Sequence, residues 1–246
     1  MKLDSNNYKF IKTSNKDFAK EIVLDRPDVH NALNERLLEE LLNEINRIEK
    51  DKKVRFAVIK GSGKKSFSAG ADLKEGHVLD KEKSKDYLYK FNKINNKIED
   101  SRLIYFAAID GYALGGGLEL ALACDIRIAT SKSVFGLPEV KLGVIPGGGG
   151  ISRLIKVCGF SNAKELVLLG EKIDSETAKY IDLINEVVEN SAALENKVKE
   201  YISLMRETNP NALSQAKFCL NNDFKRERKR KLEFERKIYK KLLKNK

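Results

Sequence analysis

Residues 111–125 read GYALGGGLELALACD, and no other stretch of the chain restricts its fold so tightly. Three consecutive glycines stand directly before LELALA, a run too apolar on every side to form a helix unless it is buried all round. Covered strands flank it, IYFAAIDG (104–111) before and DIRIAT (125–130) after. Strand, glycine turn, buried helix and strand is an α/β arrangement. The run holds one acid, Glu119, which is costly to bury unless it is hydrogen-bonded or protonated.

The same order recurs upstream. Residues 8–13 and 19–24 (AKEIVL) read as two short strands parted by the turn-rich SNKD. A helix is expected at about 35–50, where Leu37, Leu38, Leu41, Leu42, Ile45 and Ile48 keep helical spacing and Asn34 stands as the cap. VRFAVIKG (54–61) reads as another covered strand, and Tyr87, Leu88, Phe91, Ile94 and Ile98 mark a second amphipathic helix. From about residue 160 the pattern is purely helical. No repeat and no Pro- or Ser-rich linker divides the chain, so residues 1–246 are expected to form one domain. Its α/β core runs to about 190 and its helical C-terminal region over about 191–246.

Composition excludes several classes of function. MKLDSNNYKF has no apolar leader, and no run approaches the roughly 18 apolar residues of a membrane span. Three scattered cysteines, Cys124, Cys158 and Cys219, fit buried thiols in a reducing, cytoplasmic setting. Two histidines, His30 and His77, offer little for zinc. The net charge of +11 is concentrated: residues 225–246 hold twelve Lys and Arg against three Glu, leaving the body near neutral. An apolar stripe of Leu232, Phe234, Ile238, Tyr239, Leu242 and Leu243 makes that segment a docked helix with a basic outer face, which disfavours a nucleic-acid-binding role without removing it.

Two phosphate motifs fail on spacing. GSGKKS (61–66) lacks the upstream glycine of a P-loop, and GYALGGG is not the dinucleotide fingerprint. Four other segments remain: SFSAGADLK (66–74), LGGGLEL (114–120), VFGLPEVKLG (134–143) and GVIPGGGG (143–150). Small residues at 69–71 and the glycine triplet let backbone N–H groups approach a ligand. Glu139, just after Pro138, alone reads as a helix-start acid. GVIPGGGG is either a lid or a loop pressed against something bulky. Together, two glycine-containing turns and two acids suit a site that stabilises an enolate while moving protons beside it.

At these residues the chain resembles the crotonase superfamily, the enoyl-CoA hydratase/isomerase family, from about residue 8 to 240. DRPDVHNALN, KGSGKKSFSAGADL, DGYALGGGLELALACDIRIA, FGLPEVKLGVIPGGGG and NPNALSQAK carry the resemblance. It implies the ClpP/crotonase spiral of ββα units. It also implies a thioester oxygen held by the N–H groups of Ala71 and Gly116, with Glu119 and Glu139 as catalytic acids. Arg26, Ala69, Ala71, Asp72, Leu73 and Lys74 are then expected along coenzyme A, which enters as part of the substrate; no metal or other cofactor is implied. Glu119 would activate water for C3 and Glu139 would protonate C2, one of the pair being protonated at rest. Having both acids favours a hydratase; an enoyl-CoA isomerase, a 3-hydroxyacyl-CoA dehydratase and an RNA-binding relative are the alternatives. A homo-oligomer, a trimer or dimer of trimers, is implied as well. The strand reading RLIYFAAI lacks the family's usual Lys/Arg-Pro pair. The family's covering terminal helix is expected to begin about where Lys246 stands, leaving the basic 225–246 helix as a substitute for its phosphate contacts.

Overall fold

A computed structural model describes residues 8–16, 18–75, 80, 82–222 and 225–244; His77 lies outside the described residues. Among the described residues, ten strands form two sheets. In the larger, β1 (Ile11–Lys16) and β2 (Ala19–Leu24) make an antiparallel hairpin, and β3 (Phe56–Gly61), β5 (Ile104–Ile109), β7 (Ile126–Thr130) and β10 (Glu186–Val188) follow in parallel. The smaller holds β4 (Ser66–Ser68), β6 (Tyr112–Leu114), β8 (Val134–Gly136) and antiparallel β9 (Lys172–Asp174).

Each coil of chain gives one strand to each sheet and then turns away. β3 and β4 lead to α2 (Lys83–Glu99), β5 and β6 to α3 (Gly116–Ala123), and β7 and β8 to α4 (Gly150–Leu169). This is the ββα spiral expected from the sequence. β5 is buried at every position, as a strand covered on both faces must be. All eight residues of α3 are buried, so the helix without a polar face lies at the centre. α1 (Glu35–Lys50) starts as expected, with Asn34 Oδ1 accepting the Leu37 N–H at 2.9 Å.

Two expectations need correction. The region beyond 160 is not purely helical, because three-residue β9 and β10 flank α5 (Ser175–Tyr180) and complete the sheets. Strands that short leave too few residues for a periodic signal. Of the cysteines, Cys124 and Cys158 are buried but Cys219 is exposed on α7 (Pro210–Asn222). α6 (Ser191–Arg206), α7 and α8 (Lys225–Lys244) form the helical C-terminal region. Lys217 Nζ fastens α7 to the body through Ile98 O, Leu103 O and, at 2.7 Å, Asp125 Oδ2. No helix among the described residues is long and apolar enough to cross a membrane.

Candidate active site

The turn between β6 and α3 is shaped by Gly115, whose φ of 50° is left-handed and whose Cβ would stand 3.0 Å from Glu139 Oε1. A side chain there would be strained and would displace the acid. Gly116 follows as the first residue of α3, where a helical N–H has no partner within its own helix. The chain at 69–72 lies beside it, and a Cβ on Gly116 would be 3.5 Å from the Ala71 nitrogen. Ala69, Leu33 and Asp72 use their N–H groups on His30 O, Gly70 O and Leu33 O, whereas neither Ala71 nor Gly116 donates to any acceptor among the described residues. Two unspent donors thus stand side by side.

Ala71, Gly116, Glu119, Glu139 and Tyr239 all line one cavity of about 120 Å³. Glu119 is 3% exposed, and its Oε1 accepts the N–H of Gly148 at 2.9 Å and of Gly150 at 2.8 Å. The glycine loop is therefore pressed against the site and holds its first acid. Gly148 must be glycine, since a Cβ would reach within 2.7 Å of Glu119 Oε2 and strike Phe91. Glu139 is the second residue of the 3-10 turn Pro138–Leu142 and is half-buried, but its Oε2 is shut off from solvent without a hydrogen-bond partner.

Burial pushes the Glu119 carboxyl up to about 7, against the opposing pull of the Gly150 and Gly148 N–H groups and of Arg153. Burial, and then the charge on Glu119, push Glu139 up to about 8. The Gly148 and Gly150 N–H groups favour an anion at Glu119, whereas only its own backbone N–H does so at Glu139, which makes Glu139 the carboxyl better suited to keep a proton.

The residues expected along coenzyme A divide into two sets. Ala69, Leu73 and Lys74 are exposed, and Ala69 and Leu73 line the cavity with Ala71. Arg26 and Asp72 are committed to each other at 2.8 Å, and Arg26 also donates to Ala32 O. Asp72 accepts the Lys74 N–H at 3.1 Å, so this pair shapes the turn that carries the Ala71 donor. Among the described residues no group of three or more His, Cys, Asp or Glu is placed to hold a metal ion.

The terminal helix differs from expectation. α8 already covers the cavity: Tyr239 is 1% exposed and its ring would stand 3.0 Å from a Cβ on Gly147. Leu232 and Leu243 dock with it, but Phe234, counted in the stripe, is 62% exposed, while Lys229, Arg230, Lys237, Lys240 and Lys241 form the outer face. Sequence reasoning missed two features. Gly148 and Gly150 act as donors, and Glu235 is buried on α8. Glu235 had the same signal as Glu119, an acid at helical spacing from apolar neighbours.

Comparison with known proteins bears on the family and the fold. The pattern of the enoyl-CoA hydratase/isomerase family matches residues 16–246. A short-chain-enoyl-CoA hydratase of Clostridium acetobutylicum is 38% identical over 200 residues, covering 81% of this chain and 76% of its own. The mitochondrial methylglutaconyl-CoA hydratase of Mus musculus is 41% identical over 194 residues, covering 78% of this chain and 62% of its own. The crystal structure of enoyl-CoA hydratase from Bacillus halodurans superposes with a TM-score of 0.90 at 29% identity, over 96% of both chains. The fold is the crotonase spiral, and the chain belongs to the enoyl-CoA hydratase/isomerase family.

Proposed function

We propose that the protein is an enoyl-CoA hydratase, adding water reversibly and syn to a trans-2-enoyl-CoA to give the 3-hydroxyacyl-CoA. The observation that carries this reading is a pair of carboxyls in one cavity with two unspent N–H donors, one carboxyl held as an anion and the other suited to keep a proton.

Negative charge must build on the thioester oxygen as the nucleophile adds at C3. The Ala71 and Gly116 N–H groups would meet that charge, and one such donor is typically worth ~10²–10³ in rate. The Glu119 carboxylate takes a proton from water as its oxygen bonds to C3. Glu139 gives its proton to C2 as the enolate collapses, leaving Glu119 protonated and Glu139 ionised. Passing one proton back from Glu119 to Glu139 restores the resting state, and the reverse sequence dehydrates. Coenzyme A lies along 71–74 and 26–31. A cavity of about 120 Å³ favours a short acyl group, well below the roughly 300–1,000 Å³ of sites for drug-sized ligands.

Hydration of crotonyl-CoA measured beside conversion of the 3-enoyl isomer tests the proposal. Glu139→Gln keeps the shape but cannot deliver the proton, and kcat for hydration falls by ~10²–10⁴. Isomerisation faster than hydration in the native protein would make it an isomerase. RNA affinity with no turnover of either substrate would make it a binding protein.

A further inference from the structure

Glu235 plays no part in the scheme above. It sits on α8 three residues after Leu232 and four before Tyr239, facing inward with both, and is 5% exposed. Its Oε1 accepts the Ser152 N–H at 3.0 Å, and its Oε2 is buried with no hydrogen-bond partner. Ser152 is the third residue of α4, whose cap residue, Gly149, has no side chain to satisfy the first turn. Two carboxyls from two other helices do so instead. Glu119 of α3 takes the Gly148 and Gly150 N–H groups, and Glu235 of α8 takes that of Ser152.

Residues 148–153 are packed from several sides. A Cβ on Gly149 would stand 2.5 Å from Leu232 of α8. Arg153 donates to Gly148 O at 3.0 Å and pairs through Nε with Glu99 of α2 at 2.9 Å. The segment that aims the Glu119 carboxyl is therefore held at one end by Glu119 and at the other by Glu235.

We propose that Glu235 is a positioning residue: by capping the first turn of α4 it fixes the Gly148 and Gly150 N–H groups, and through them the orientation of Glu119. The inference rests on reading Glu119 as the base. Burial, and then the Glu119 charge, push Glu235 up to about 7, while the Ser152 N–H and Arg153 pull the other way. Its ionisation, with those of Glu119 and Glu139 and beside the Arg153 guanidinium, then contributes to the pH profile near neutrality.

The full-length chain and its Glu235→Ala and Glu235→Gln variants are compared in crotonyl-CoA hydration, in the pH dependence of kcat, and in amide hydrogen exchange over residues 148–153. Glu235→Ala is expected to lower kcat roughly ten- to hundredfold, with KM little changed and exchange in the segment faster. Glu235→Gln, whose amide oxygen still accepts from Ser152, is expected to restore most of kcat and to remove one ionisation near neutrality. Native kcat in Glu235→Ala, or unchanged exchange, overturns the inference. Should Glu235→Ala not fold, Glu235→Gln decides: near-native kcat with an altered pH profile supports positioning, and loss of activity as deep as that of Glu139→Gln overturns it. A native protein that hydrates no enoyl-CoA would sink the hydratase reading, while exchange still reports whether Glu235 holds the turn.

Discussion

Glu119 and Glu139 are both made hard to ionise chiefly by burial, Glu139 also by the charge on Glu119, and this has a consequence for stability. Both folded-state values, about 7 and about 8, lie above the ordinary 4.5 of a glutamate. Between those limits the folded chain binds more protons than the unfolded one, so this contribution to stability falls as pH rises from about 4.5 to about 8. Urea unfolding at pH 6 and pH 8.5 should show a loss at the higher pH, and Glu139→Gln, which cannot titrate, should reduce it. Both acids were legible in the sequence as residues, but their roles came from resemblance, and an acid on a buried face is not diagnostic. Glu40 of α1 is fully buried too, yet it serves the fold by accepting the N–H groups of Phe10 at 2.8 Å and Ile11 at 3.2 Å. What separates Glu139 from Glu40 is an oxygen left without a donor, and only coordinates reveal that.

Among the elements, α8 combines two tasks that its sequence pattern could not distinguish. Its apolar stripe made docking legible, but not the surface on which it docks, because a stripe records burial and not a partner. Tyr239 closes the cavity beside Glu119 and Glu139, so on the hydratase reading it should limit the acyl group. Tyr239→Ala is expected to raise kcat/KM for an eight-carbon enoyl-CoA relative to crotonyl-CoA by roughly tenfold or more, as each methylene gains contact area. Steady-state assays across chain lengths check this, and an unchanged ratio would place the limit elsewhere. The same substitution should cost about 3–5 kcal/mol of stability in denaturant unfolding, from the cavity it leaves. The second sheet was the least legible part of the fold. β4, β6 and β8 are three residues each, yet they carry the Ser66–Ser68 and Tyr112–Leu114 segments directly before the two donor turns.

Across the whole molecule, the spiral brings together residues far apart in the chain by stacking coils in parallel register. The α/β class and the strands β1, β2, β3, β5 and β7 were legible because those strands run to five or six residues. The surface still shows large apolar side chains on its helical parts, including Leu204, Phe218 and Leu220, with Tyr180 89% exposed. Such residues fit the homo-oligomer implied by the family resemblance. Sedimentation or light scattering should give a trimer or hexamer mass, and a monomer at micromolar concentration would refute this.

The first turn of α4 is held by Glu119 from the middle of the chain and by Glu235 near its far end. During synthesis the cavity cannot close before α8 is made. Until α8 has left the ribosome, the Ser152 N–H is uncapped and the cavity has no Tyr239 wall. A nascent chain lacking that helix therefore carries the GYALGGG motif beside a cavity that still lacks one wall.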